Sequence, residues 1–170
     1  RPGDRVVVPF QVSCGACAPC RAGRTNSCER MPWLSSFGLG ALAGDFGGTM
    51  ADLLSVPYAD AMLVPLPAGV TLADGAACAC NITDAHRCVA PGLARHTGAP
   101  VLVVGGGFDN IALYSARIAA ALGAERVDVS GLPDAAAAKA RALGARVVDL
   151  ADVEPAAYPV TVVCSADAAG

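Results

Sequence analysis

The sequence predicts an α/β chain in two unlike parts: an irregular, barrel-like β domain carrying a four-cysteine lobe, then the first half of a doubly wound parallel sheet. Three observations predict it. Four cysteines crowd into SCGACAPCRAGRTNSCE, the hydrophobic pattern changes character near residue 85, and a glycine-rich turn follows a continuous apolar run at residues 101–104.

The lobe comes first. Cys14, Cys17, Cys20 and Cys28 follow the spacing C-x2-C-x2-C-x7-C. That spacing brings four thiolates within reach of one ion, in a segment too short to have a core. Zn2+ takes four tetrahedral ligands, and an all-cysteine shell with no open position is the structural kind of site. Gly15, Pro19 and Gly23 supply the tight turns that let the loop close on itself. An apparent metal contribution of roughly 10–16 kcal/mol, the scale for small zinc peptides, would order such a loop. The alternatives are a disulfide pair or four unlinked thiols. Cys-x2-Cys pairs are poor disulfide partners, and the rest of the chain reads as intracellular.

Composition narrows the class. A hydrophobic content of 54% with mean hydropathy +0.49 first suggests a membrane. Charges interrupt every long apolar stretch, however, and no run approaches the ~18 residues of a membrane helix. The chain opens Arg-Pro-Gly-Asp-Arg, without the apolar region of a signal peptide. A net charge of −3 lacks the basic surface that nucleic acid requires. Eight cysteines without a secretion signal point to metal binding in a reducing compartment. The expectation is a cytoplasmic protein with neither membrane nor nucleic acid as partner, and Asn81-Ile82-Thr83 matches the glycosylation pattern by chance.

The β domain is read from short runs at residues 5–10, 50–56 and 61–66, separated by Gly/Pro/Ser-rich loops. One of these, residues 37–48, holds five glycines. After residue 98 strand and helix alternate. Val101-Leu102-Val103-Val104 reads as a strand buried on both faces. Ile111, Tyr114, Ile118 and Leu122 then share one helical face, with Gly123 as the cap. An internal echo extends the pattern: ALGAERV at residues 121–127 recurs as ALGARV at 142–147. Each copy reads as a helix end, a capping glycine and the start of a strand. Two such units make a βαβαβ half, with PVTVVC at 159–164 as a further strand. The predicted division is residues 1–84 and 85–170.

Between strand and helix lies Gly105-Gly106-Gly107-Phe108-Asp109-Asn110-Ile111-Ala112. A G-x-G-x-x-G loop here lets backbone amides and a helix N-terminus hold a pyrophosphate. Gly105 and Gly107 fit the first two positions. The third is Asn110 at the standard spacing or Ala112 if the loop is two residues longer, and a helix of normal length from Ala112 to Gly123 favours the longer loop. The acid expected about 20 residues on, for the adenosine ribose, is missing: the second strand ends at Gly131. Asp128 sits three residues earlier and points to the other face, and Asp134 reads as part of a helix start.

A four-cysteine lobe, a β domain and a Rossmann half together resemble the zinc-dependent alcohol dehydrogenases of the medium-chain dehydrogenase/reductase family. GDRVVVPF followed by CGACAPCRAGRTNSC looks like the approach to that family's structural-zinc lobe. GGTMADLLSVPYADAMLVPLPAGV resembles the segment returning to the catalytic domain, and VLVVGGGFDNIALYSARIAAALGA its nucleotide-binding unit. The resemblance implies a GroES-like catalytic domain followed by a Rossmann coenzyme domain. It implies a structural Zn2+, NAD or NADP as coenzyme, a small alcohol or aldehyde as substrate, and a homo-oligomer at full length.

It also implies a catalytic zinc held by a Cys and a His upstream of the GDRVVV stretch and by a third residue near the domain junction. The chain opens two residues before that stretch, and its histidines, His86 and His96, lie downstream. The resemblance therefore makes this an internal piece of the enzyme, inactive on its own. Cys80, four residues before Asp84 where the family usually has Thr, is the candidate third ligand. Cys78, Cys88 and Cys164 read as buried structural cysteines. A non-catalytic zinc module and a catalytically dead relative are the rival readings.

Overall fold

A computed structural model of the chain describes residues 1–165. The end of the predicted 85–170 segment lies outside the described residues. The chain divides into two compact units, Arg1–Cys80 and Asn81–Gly170.

The first unit is mostly loop. Its regular sheet is a single antiparallel pair, β1 (Val6–Val7) and β2 (Val64–Pro65), with Val7 opposite Val64. Helix α1 (Ala18–Arg21) lies inside the cysteine lobe, and α2 (Ala59–Met62) precedes β2. Helix α3 (Leu72–Cys78) starts at Thr71, whose hydroxyl accepts from the Asp74 amide at 3.1 Å. That satisfies one of the amides every helix start leaves over. Gly75 lets α3 approach: a Cβ there would stand 2.7 Å from Leu66 Cδ1 and 3.3 Å from Val7 Cγ2. Val12, Phe37 and Met62 form a small core, with Val8, Met31, Phe46, Leu54 and Val56 packed around it.

The expected strand at 50–56 does not form, and the run at 61–66 is divided between the end of α2 and β2. Alternation marks a strand only where a neighbouring strand can satisfy its backbone. Here Met50 and Leu53 are exposed instead. The irregular character of this domain is as expected, with less strand than the apolar runs suggest.

The second unit opens with α4 (Asn81–Arg95), so residues 81–84 are its first turn. Strands β3 (Val101–Val104), β4 (Val127–Ser130), β5 (Arg146–Val147) and β6 (Val160–Val163) form one parallel sheet in the order β5-β4-β3-β6. Counted within the sheet this is 3-2-1-4, the order of a doubly wound half with its switch point between the first and fourth strands. Helices α5 (Asp109–Ala121) and α6 (Asp134–Ala142) make the crossovers. Val101, Val103, Val127, Val129, Val160 and Val162 meet α4 and α5 in one core. Gly92 lets α4 lie on β6, since a Cβ there would stand 2.8 Å from Val160 Cγ1.

The two echoed segments do end alike. Gly123 and Gly144 adopt φ of +86° and +89°, and the following amides reach back to Ala119 and Ala140 at 3.0 Å in both copies. Helix α6 begins at Asp134 as expected.

Helix α5 departs from its predicted limits and face. It starts at Asp109, three residues before Ala112. Its fully buried stripe is Ala112, Ser115, Ala116 and Ala119, while Ile111 and Ile118 only flank the core and Leu122 is exposed. Small side chains let the helix axis come close to the sheet, so the larger residues were displaced to the margins.

On the opposite face of β4 sits Asp128, 0% exposed. Arg126 Nε donates to its Oδ2 at 2.8 Å and the Tyr158 hydroxyl donates to the same oxygen at 2.5 Å. Arg146 Nε stands 3.2 Å from Oδ1, an ion pair without hydrogen-bond alignment. Asp128 and Tyr158 together hold the Arg126 guanidinium more firmly protonated, and the Tyr158 ring lies 5.5 Å below it. Tyr158 thus pins the β5–β6 crossover to the sheet. Replacing Tyr158 by Phe is expected to cost about 2 kcal/mol, the value of a hydrogen bond to a buried charge. Urea unfolding against the parent chain checks this, and an unchanged midpoint would remove the phenol from the carboxylate's support.

Candidate functional site

Two places in the chain are candidates for holding a ligand, one in each unit. In the first unit the sulfurs of Cys14, Cys17, Cys20 and Cys28 all lie within 4.8 Å of one another. None of the four is in a disulfide. Cys17 Sγ and Cys28 Sγ are 4.0 Å apart, close to the edge of about 3.8 Å of a tetrahedron with Zn–S bonds of about 2.3 Å. The backbone folds around the sulfurs in the manner of a metal loop. Gly15 and Gly23 take φ of +69° and +75°, and a Cβ at Gly15 would stand 2.3 Å from Ala61 Cβ. The amides of Ala16 and Cys17 both point at Cys14 Sγ, at 3.4 Å.

These contacts set the thiols apart electrostatically. The Ala16 amide, followed by that of Cys17, brings Cys14 down to about 6, and the Glu29 amide lowers Cys17. Burial pushes Cys20 up to about 12. Four converging, mostly buried sulfurs with two amides already turned toward one of them fit a divalent soft-ligand ion.

In the second unit the glycine-rich turn sits at the carboxyl ends of β3 and β6. Gly105 N donates to Ser130 O at 2.8 Å, and a Cβ at Gly105 would meet Leu132 Cδ2 at 2.4 Å and Gly131 O at 3.1 Å. Gly106 and Gly107 take φ of +128° and +141°. Gly107 bridges to Ser165, Phe108 N donates to Cys164 O, and Cys164 N donates to Val104 O at 2.7 Å. The turn is therefore clamped between the ends of β4 and β6. Behind it the first-turn amides of α5 lack intrahelical acceptors, as at every helix start. Three glycines without side chains at the switch point give a ligand close access to backbone.

The sequence expected the seat to run through Gly105, Gly106, Gly107, Asp109, Asn110, Ile111 and Ala112, with Gly131 beyond. The structure brings Gly105 and Gly131 into backbone contact. Asp109 and Asn110 belong to the first turn of α5, so the turn is shorter than the preferred reading. Asn110 is exposed, and Ala112 is the small buried residue in the core. Asp109 presents the one discordant atom, an Oδ1 that is buried and accepts no hydrogen bond.

Cys80 is not part of the sulfur cluster. It lines a cavity of about 450 Å³ in the first unit, together with Val8, Phe10, Leu54, Leu72 and Ala79. Thr49 is the polar side chain in that wall besides the cysteine itself. Phe10 and Thr49 carried no sequence signal of their own. Among the described residues the metal-ligating cluster is the four-cysteine lobe, so Cys80 does not stand in a three-ligand set. Cys78 and Cys88 are exposed, against the expectation of burial, because each falls on the outer face of its helix. Cys164 is buried, and burial raises its thiol. Asp84 pairs with Arg87 at 3.7 Å, and His86 is exposed.

Residues 1–68 match the family described as the alcohol dehydrogenase GroES-like domain. Over residues 1–68 the chain belongs to that family. Over most of its length it is similar to zinc-type alcohol dehydrogenases of the medium-chain family. It is 30% identical over 157 residues to a glutathione-independent formaldehyde dehydrogenase of Bacillus subtilis strain 168, covering 87% of this chain and 37% of that protein. An alcohol dehydrogenase from Thermus sp. ATN1 superposes with a TM-score of 0.75 at 28% identity, over 91% of this chain and 44% of the other. A crystal structure of an NAD-dependent alcohol dehydrogenase gives 0.68 at 30% identity, over 91% and 41%. The chain thus spans well under half the length of these relatives. Among the described residues no helix is long and apolar enough to cross a membrane.

The sulfur cluster makes a checkable forecast. One zinc per chain is expected by elemental analysis, with four reduced thiols recovered after chelation. Cys20, held near 12, keeps its proton at neutral pH and must release it to the metal. Zinc affinity should therefore rise with pH across the neutral range, about tenfold per unit for each proton expelled. Chelator competition at two pH values reads this, and a flat profile would mean that Cys20 is not a ligand.

Proposed function

We propose that the chain is part of a zinc-containing, NAD(P)-dependent oxidoreductase that moves hydride between the carbinol carbon of a small alcohol, or its aldehyde, and a nicotinamide. The observation that carries this reading is the conjunction, in one chain of this family, of a four-sulfur cluster with a glycine-clamped switch point. Cys14, Cys17, Cys20 and Cys28 would hold a structural zinc and order a lobe that has no core of its own. Gly105, Gly106 and Gly107, the first turn of α5 and Gly131 would seat the dinucleotide. The coenzyme, when bound, supplies the hydride carrier. The chain's own task is to hold it against the ends of β3 and β6. We take residues 1–84 as catalytic-domain sequence and 85–170 as the coenzyme half.

Cys80 is the candidate ligand for a catalytic zinc. A single thiolate does not fix such an ion, which needs three protein ligands and one open position, so no step is assigned to it here. Its cavity is walled by aliphatic side chains and Phe10, with Thr49 as the polar exception. Such a wall suits an uncharged alcohol or aldehyde better than a polyol or an acid.

Two outcomes test this reading. The purified 170-residue chain, loaded with zinc at the lobe, should give no change in NAD(P)H absorbance with a panel of alcohols and aldehydes. Turnover would show that residues besides Cys80 complete a catalytic site. The second concerns coenzyme choice. Gly131 has φ of +69°, and a Cβ there would stand 3.1 Å from Gly105 O, so a side chain at this position would be strained and crowded. Nothing there repels a 2′-phosphate. NADH and NADPH are expected to bind with dissociation constants within about a hundredfold, or ~2.7 kcal/mol. A larger preference for NADH would contradict the role given to Gly131.

A further inference from the structure

The glycine-rich turn is shaped for a phosphate, but its charge is not. Asp109 is the first residue of α5, directly after Gly107 and Phe108. A helix N-terminus carries roughly half a positive charge, felt mainly within the first turn, and that charge is what a bound pyrophosphate uses. In this chain a carboxylate already occupies that first turn. Its Oδ1 is buried without a hydrogen-bond donor, and among the described residues no lysine or arginine pairs with it. An ordinary helix-capping acid would be turned onto a neighbouring amide. Asp149, before the Leu150–Asp152 turn, is so turned, accepting from the Ala151 amide at 2.9 Å. Asp109 makes no such bond through Oδ1.

We propose that Asp109 sets the affinity of the coenzyme seat, as a fixed negative charge that competes with the dinucleotide's pyrophosphate for the positive end of α5 and so holds coenzyme binding down. The inference rests on the coenzyme reading above and adds a sign to it. Three glycines let the phosphates approach the backbone, and the side chain next to them sets a penalty on the charge they bring. The penalty applies to any ligand with a pyrophosphate, with or without the nicotinamide. It is electrostatic, so added salt should relieve it within the range where screening lengths fall below the size of the site.

The test is direct binding to the 170-residue chain and to its Asp109→Asn and Asp109→Val variants. NADH fluorescence is the readout, with ADP-ribose as competitor, and far-UV circular dichroism confirms that each variant folds. Both variants should bind NADH and ADP-ribose about tenfold more tightly than the parent. Raising the salt from about 0.05 to about 0.5 M should narrow the gap between parent and Asn variant. Either variant alone carries the test should the other misfold. Equal affinities within about twofold, or weaker binding by the variants, would overturn the role of Asp109 while leaving the coenzyme seat in place. Absence of saturable binding by all three proteins would instead remove the seat, and the inference with it.

Discussion

The second unit depends on the close approach of backbones where side chains are missing. Gly105 lies against Gly131, and Gly106 against Ser165, at the carboxyl edge of a sheet whose order places a crevice there. A single Cβ at Gly105 would collide with Leu132 at 2.4 Å and crowd Gly131 O. Leu132 would have to turn away, and the approach of Gly131 to the turn would loosen. Substituting a larger residue would therefore act on the geometry of the seat before it acted on stability. The same constraint accounts for the absent acid. At 131 the positive φ and the nearness of Gly105 O favour glycine over a side chain that could bring a carboxylate to a ribose.

The first unit is organised on a different principle. Its aliphatic core is small, Val12, Phe37 and Met62 with a few flanking residues, and its sheet is two short strands. Order in the cysteine lobe comes from sulfur placement and local turns. The lobe is joined to the small core through its base: Val12 N donates to Ser35 O at 2.9 Å, and Ser35 Oγ donates back to Val12 O at 2.7 Å. A metal on the four sulfurs would thus stabilise the loop from Cys14 to Cys28 directly and the neighbouring core through Val12. Burial that raises Cys20 and amides that lower Cys14 and Cys17 leave these three thiols with unequal proton affinities. A divalent ion would level them, because it binds the thiolate of each.

What the sequence made legible follows from how local each signal is. The cysteine spacing is a local statement, and the sulfurs converge as it implies. The echoed ALGA segments are local too, and both end in left-handed glycines with the same back-bonded amide. The apolar run at 101–104 was correctly read as a buried strand. Signals that depend on a distant partner failed. Residues 50–56 look like a strand, but no neighbouring strand pairs with them. The face of α5 was misread because alanine is neutral in any count of hydrophobic periodicity. Only the sheet shows that closeness, rather than bulk, decided which residues went inside. Tyr158 and Arg146, 30 and 18 residues from Asp128, could not be connected to it by any pattern.

That last group also shows how a buried charge can specify rather than stabilise. Asp128 stands in the middle of a parallel sheet, where an aliphatic residue would be the cheaper choice, since a desolvated carboxylate costs several kcal/mol before any partner repays it. Its partners repay it only in one arrangement. Arg126 must sit two residues earlier, just before β4, Arg146 beside Asp128 on β5 in the observed register, and Tyr158 on the segment leading into β6. A slip of β5 by one residue would turn Arg146 to the other face and leave the charge short of a cation. A crossover packed differently would withdraw the phenol. The crossover between β5 and β6 contains no long helix to impose its own geometry, only the short turn Leu150–Asp152. The polar cluster supplies the missing instruction, and β6 then lies beside β3, where its end can clamp the glycine turn.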